Sequence, residues 1–279
     1  NKIKKEIDIV SNFFLLILIL SINIKTKNNV KNNRINDVGD GFEEYVQRIF
    51  LGNLSFSEKN INKIFSYTGN KSNPPDLIIK NGDAIEIKKR QSIGGDLALN
   101  SSYPRDKLYS NDPKITDACK NCENNWKVKD IFYIVGHVPN SNRVETIFCV
   151  QGNILAAQKK YYEKYITPIK NALKHLNPSI TKELGRFNNI DPLERTNLRV
   201  RGMFSISSPF KAFDFFVPGD KKNISINILL RESKYNSLPK KDRDKIKKDS
   251  QITFKKKSLN CPNDNKKIKC IFLSYKKNI

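Results

Sequence analysis

The chain has 279 residues and carries 51 Lys and Arg against 28 Asp and Glu, a formal net charge of +23 at pH 7. That length allows one large domain or two small ones with a real core, and the charge favours a polyanionic partner, nucleic acid ahead of an anionic membrane. With two histidines and no phosphate-cradling glycine motif, the sequence offers neither a persuasive Ser-His-Asp or Cys-His nucleophile nor a nucleotide cofactor site; five cysteines without a regular framework read as reduced thiols of a cytoplasmic protein.

Residues 1–33 hold an apolar block, Phe13 to Leu20, preceded by Lys2, Lys4 and Lys5. The polar residues scattered around it make it too broken for a spanning helix of about 20 apolar residues. It reads as a buried or interface helix, with a membrane or targeting segment as the alternative, and no membrane partner is expected. A basic linker leads to a domain taken to span 34–236. Its first element is a helix from Asp40 to Leu51, in which Phe42, Tyr45, Val46, Ile49 and Phe50 form one apolar stripe. Glu43 lies at the border of that stripe and Glu44 beyond it. Ile61 to Tyr67 reads as a strand and Gly69 to Asn73 as a turn.

Pro74 to Arg90 then holds two short apolar-rich runs around Asn81-Gly82, a hairpin signal. A two-residue loop would send Asp76 and Glu86 to opposite faces. A three-residue loop, Lys80-Asn81-Gly82 with Gly82 left-handed, pairs Leu77 with Ile85 and Asp76 with Glu86. It gathers Leu77, Ile79, Ile85 and Ile87 on one face and Asp76, Ile78, Ala84, Glu86 and Lys88 on the other. The apolar pattern selects this second register. It places two carboxylates opposite each other, which is destabilising by itself and suits a divalent cation such as Mg2+ held by oxygen ligands and water. A solvated hairpin face carrying Asp, Glu and Lys is the plainer reading of the same spacing.

Gln91 to Lys107 is a polar loop following that strand. Its Gln91, Asn100, Ser101, Ser102, Tyr103, Arg105 and Lys107 are of types that read base edges or hold phosphates, as are the preceding Lys89 and Arg90. Cys119 and Cys122 form a C-x-x-C with no second ligand pair, so they read as free cysteines at a helix end rather than as a structural zinc site. Ile131–Val138 and Arg143–Gln151 are expected strands. Asn153–Leu176 is expected to be one long helix kinked at Pro168. Leu198–Ile206, Lys211–Val217 and Asn223–Leu230 are three further expected strands, the first presenting Arg199 and Arg201 to a phosphate. Residues 237–279 form a basic extension packed on the same domain, able to clamp a nucleic-acid backbone.

Pro75-Asp76, nine residues and then Glu86-Ile87-Lys88 resembles the PD-(D/E)xK nuclease motif. Further segments resemble one branch of that superfamily, the NgoPII-type type II restriction endonucleases. They are Gly39-Asp-Gly-Phe-Glu-Glu-Tyr-Val46, the hairpin, Gly94 to Leu108, Asp117-Ala-Cys-Lys-Asn-Cys-Glu123 and Leu198-Arg-Val-Arg-Gly-Met203. The resemblance covers roughly residues 35 to 220. It implies an α/β fold with a mixed central β-sheet flanked by helices, a restriction-endonuclease-like core. It also implies Mg2+ held by Asp76, Glu86 and the Ile87 carbonyl, Lys88 positioning the nucleophile, and Glu43 as an auxiliary ligand or base. The implied enzyme is a homodimer that cuts double-stranded DNA at a short palindrome, GGCC, alongside a DNA methyltransferase. Two other readings stand beside it: a repair or junction nuclease of the same superfamily, and a non-catalytic basic nucleic-acid-binding or membrane-associated protein.

Overall fold

The computed structural model describes residues 40–70, 73–99, 102–139, 143–180 and 183–278. The apolar block at 13–20 lies outside them. Among the described residues no helix is long and apolar enough to cross a membrane.

Helix α1 (Asp40–Leu51) forms as its periodicity predicts. Phe42, Val46 and Phe50 point into the core at i, i+4 and i+8, while Glu44 and Arg48 pair on the outer side at 2.5 Å. Helix α2 (Glu58–Ile64) replaces the first half of the strand expected at Ile61–Tyr67. Ser57 takes the extended N-cap conformation and Glu58 opens the first turn, where an acid favours helix; Ile61 and Ile64 then meet the core at i, i+3. Strand β1 (Phe65–Asn70) follows, antiparallel to β2 (Asn73–Ile79), which turns into β3 (Ala84–Arg90). The Pro74–Pro75 peptide bond is cis.

Next come β4 (Asp96–Leu99), β5 (Lys107–Tyr109), helix α3 (Asp117–Lys120), β6 (Val128–His137) and β7 (Thr146–Gln151). The single long helix expected at Asn153–Leu176 is instead two: α4 (Gly152–Leu155) and α5 (Lys159–Lys174), which contains Pro168. Ala156 is extended and ends the first of them. The chain continues through β8 (Gly185–Phe187), β9 (Leu198–Val200), β10 (Phe204–Ser207) and α6 (Pro209–Ala212). This α6 corrects the strand expected at Lys211–Val217. Pro209 starts a helical turn, and Phe213 and Phe216 then close on Phe148 at centroid distances of 5.8 and 6.2 Å instead of pairing as a strand. Strand β11 (Asn223–Arg231), helices α7 (Glu232–Ser237) and α8 (Lys240–Lys248), and strands β12 (Ile252–Asn260) and β13 (Lys267–Asn278) complete the chain.

Strands β1, β2, β3, β6, β7, β11, β13 and β12 lie side by side in that order, with β5 joined to β6, in one nine-stranded sheet. β3 runs parallel to β6 and β7 parallel to β11, and the other pairings are antiparallel, so the sheet is mixed. Two apolar cores cover its faces. One buries Phe42, Val46 and Phe50 of α1 with Leu77, Ile79, Ile85, Ile87, Tyr235 and Ile246. The other buries Ile78 and Ala84 with Leu97, Leu108, Cys119, Ile154 and Phe210. The architecture is α/β with helices on both sides of a mixed sheet. The basic C-terminal residues 252–278 supply two of its strands, because every second side chain along the middle of β13 faces one core or the other.

Candidate active site

The hairpin joins its strands in the register selected by the apolar pattern, Leu77 opposite Ile85 and Ile78 opposite Ala84. The turn is closed by the Gly82 N–H donating to the Ile79 carbonyl at 2.8 Å. One detail differs from expectation: Asn81, not Gly82, holds the left-handed backbone, with φ 55°. Asn tolerates that region better than most residues, and its N–H donates to Glu123 Oε1 at 2.7 Å. The same carboxylate accepts from Ser66 Oγ and from Lys129 Nζ, each at 2.6 Å. Lys129 also donates to the Gly82 carbonyl at 2.9 Å. The tip of the hairpin is thus tied to residues 123–129 by a buried ion pair. Glu123 was legible only as part of a family-like segment; its role depends on a contact distant in sequence.

At the open end, Asp76 and Glu86 share a face. The Ile87 N–H donates to Asp76 Oδ2 at 2.5 Å. Lys88 Nζ lies 2.6 Å from Glu86 Oε1 and 3.8 Å from Asp76 Oδ2, so its ammonium stands between the carboxylates. Glu86 is 9 % exposed, and its Oε2 finds no hydrogen-bond partner among the described residues. Burial, followed by the charge of Glu86, pushes the Asp76 carboxyl up to about 8 against the opposing pull of Lys88 and the Ile87 N–H; Glu43 adds to the upward push. Burial would lower the Lys88 ammonium, but Glu86 and Asp76 outweigh it and move it upward. Glu43, on the first turn of α1, is therefore close enough to act on Asp76 through its charge. Helix α1 is seated by Phe42, whose ring occupies the space a side chain at Gly136 would need: a Cβ there would lie 2.2 Å from Phe42 Cζ.

Whether these residues suit a divalent cation is a question of donor chemistry. Among the described residues no three His, Cys, Asp or Glu side chains converge as a metal cluster. Two carboxylates do converge, one with an unpartnered buried oxygen and one held against its own charge. That pair is too small for an all-protein cage. It matches an ion that keeps most of its water, as Mg2+ does.

Tyr133 was not anticipated. It stands beside Glu86 in the β3–β6 register, accepts from the Arg105 N–H at 2.7 Å and donates to the Arg105 carbonyl at 3.2 Å. Burial first, then the Glu86 charge, moves its phenol upward.

The residues expected to touch nucleic acid divide. Lys89 alternates to the α1 face of the sheet, opposite Glu86, Lys88 and Arg90. Gln91 is exposed. Asn100 and Ser101 lie outside the described residues. Ser102 is half-buried. Tyr103 stacks on Tyr162 at 5.8 Å and donates to Asp112. Arg105 is only 4 % exposed and pairs with Asp112 Oδ2 at 2.9 Å, so its guanidinium lies in the interior. Lys107 opens β5 with its ammonium 3.8 Å from Asp130. Arg199 and Arg201 do share a face, and both converge on Glu183, at 2.5 and 2.7 Å. Cys119 is buried, its thiol pushed up to about 12 by burial and then by Cys122, and both cysteines are free thiols.

The model of the NgoPII restriction endonuclease family matches residues 7–262, a span containing the hairpin, α1 and nearly the whole sheet. The chain belongs to the NgoPII restriction endonuclease family. It is 39 % identical over 241 residues to the type II restriction enzyme NgoPII of Neisseria gonorrhoeae, covering 84 % of this chain and 86 % of that one. No solved structure matches it. As a member of the NgoPII family the chain is a type II restriction endonuclease, an enzyme that cleaves double-stranded DNA sequence-specifically. The match begins at residue 7, so the apolar N-terminal block falls within the family's span.

Proposed function

We propose that this endonuclease hydrolyses DNA phosphodiesters with Mg2+ at the open end of the β2–β3 hairpin. The observation that carries the proposal is the carboxylate pair there, with Glu86 Oε2 buried and unpartnered beside an Asp76 pushed up to about 8. Asp76, Glu86 and the Ile87 carbonyl hold the ion, with Glu43 as an auxiliary ligand or base. When bound, the ion lowers the pKa of a coordinated water and offsets charge on the phosphoryl group. Lys88, already aimed between the carboxylates, positions the attacking water or neutralises charge that builds on the phosphate. Water attacks phosphorus in line, the 3′ oxygen leaves, and the product carries a 5′ phosphate.

The family resemblance supports three finer points: a homodimer, a short palindromic target suggested as GGCC, and a companion methyltransferase that protects the host. The cytoplasm, where host and invading DNA meet, is the fitting location. The testing experiment digests a plasmid of known sequence and maps the ends. Ends falling at GGCC with 5′ phosphates, and blocked by methylation of that site, support the reading. Ends at another sequence would replace the target, and ends at branched structures only would replace the reading with that of a junction nuclease.

A further inference from the structure

The face of β3 that carries Glu86 and Lys88 continues to Arg90. At about 3.3 Å per residue, Arg90 lies about 6.6 Å beyond Lys88 along the strand. The parallel register sets Arg90 directly beside His137 at the end of β6. Both residues hold a buried nitrogen without a hydrogen-bond partner among the described residues, Nε of Arg90 and Nδ1 of His137. The nearest acid to the imidazole, Glu145, stops 3.7 Å away, outside hydrogen-bond reach. Thr146, next to His137 on β7, uses its hydroxyl oxygen to accept from the Gly219 N–H. The imidazole is fixed edge-on against Phe210 at 6.5 Å.

Buried polar groups are almost always paired, so two unpartnered buried nitrogens on neighbouring residues mark a place where a partner is missing. The loop above them is shaped for the guanidinium. A Cβ at Gly95 would fall 1.6 Å from Arg90 Nη2 and 2.7 Å from its Cζ, whereas one at Gly94 would meet nothing within 4 Å. One glycine leaves room for the arginine, and the other leaves the approach open.

We propose that Arg90, with His137 beside it, binds a DNA backbone phosphate neighbouring the one that is cut, and that Gly95 is the residue that makes this possible. The inference rests on the hairpin being the hydrolytic site. It adds a positioning contact that would register the scissile phosphate against Asp76 and Glu86. Arginine suits the role because its planar fork matches phosphate geometry.

The test is binding of wild-type protein, Arg90→Gln, Gly95→Ala and the double variant to two duplexes, one with GGCC and one scrambled, in EDTA across a KCl series, with thermal melts to confirm folding. A phosphate contact predicts that Arg90→Gln weakens binding to both duplexes by about tenfold. It also predicts that the log-log salt slope shrinks by about 0.9. Gly95→Ala should reproduce that loss and add nothing in the double variant. A duplex with one methylphosphonate next to the cut should cost the wild type affinity and leave Arg90→Gln unaffected. An unchanged salt slope in folded Arg90→Gln, or a loss confined to the GGCC duplex, would overturn the phosphate assignment. These readouts need no cleavage, so a failure of the hydrolytic reading, seen as no cutting with any divalent cation, is separable from a failure of this one.

Discussion

Lys88 Nζ stands 2.6 Å from Glu86 Oε1, on the same strand face two residues on. A half-buried ammonium so placed offsets part of the repulsion between Glu86 and Asp76. Replacing Lys88 by Ala should therefore cost stability as well as activity. The expected loss is about 3 kcal/mol in metal-free buffer, read from urea midpoints, and added Mg2+ should recover part of it. A variant as stable as wild type in EDTA would show that Lys88 does not offset that repulsion.

Asp76→Asn makes the opposite trade. Burial and then Glu86 push the Asp76 carboxyl up to about 8, so in metal-free buffer at a pH above that value, where it is ionised, a neutral amide should raise the melting midpoint by the equivalent of about 1 kcal/mol. Cleavage should drop by at least about a thousandfold. A destabilised Asp76→Asn would mean that the attraction between the Asp76 charge and Lys88 outweighs the repulsion.

Glu123 sets an acid limit on stability. Burial alone would raise its carboxyl, but hydrogen bonds from Lys129, Ser66 and the Asn81 N–H hold it below the usual range. A depressed folded-state value means that the stabilisation is present above the unfolded value, near 4.3, and is lost as pH falls through the lower folded value. Glu123→Gln should cost about 3 kcal/mol near neutrality, since it leaves the Lys129 charge buried without its partner. It should also flatten the wild type's fall in stability below about pH 5. Urea midpoints at several pH values check both.

Arg105→Ala should behave as a core mutation. Its guanidinium is buried against Asp112, so the expected cost is about 3–5 kcal/mol. The salt slope of DNA binding should stay as in the wild type, in contrast to Arg90→Gln. A stable protein with a smaller slope would restore Arg105 to the DNA surface.

Gly136→Ala tests the seat of α1. The added methyl meets the Phe42 ring, which costs about 1–3 kcal/mol by overpacking and shifts the helix that carries Glu43. Activity should fall further than stability explains, measured as cleavage rate at a temperature where the variant remains folded.

The β2–β3 hairpin was legible because its information is local. Strand alternation and an apolar face fixed its register, and the register brought Asp76 to Glu86 without any distant contact. Helix α1 was legible for the same reason, its stripe repeating at helical spacing. What failed depended on tertiary packing. Phe213 and Phe216 look like part of a strand, yet they fold around Phe148. Ile61 and Ile64 were read as part of a strand, yet they sit three residues apart on a helical turn and pack on the core from there. The apolar run Cys270 to Leu273 was hidden among lysines, and its partner β11 lies about forty residues earlier. Arg105 looked like any loop arginine until Asp112 and Tyr133 closed on its side chain and backbone.

The most direct test of the account is plasmid cleavage by wild-type and Lys88→Ala protein, with Mg2+ and with EDTA. Discrete fragments from the wild type that require Mg2+, and their loss in a folded Lys88→Ala variant, are the predicted result. Cleavage by the wild type in EDTA, or undiminished cleavage by Lys88→Ala, would contradict the assignment of the hairpin as a metal-dependent hydrolytic centre.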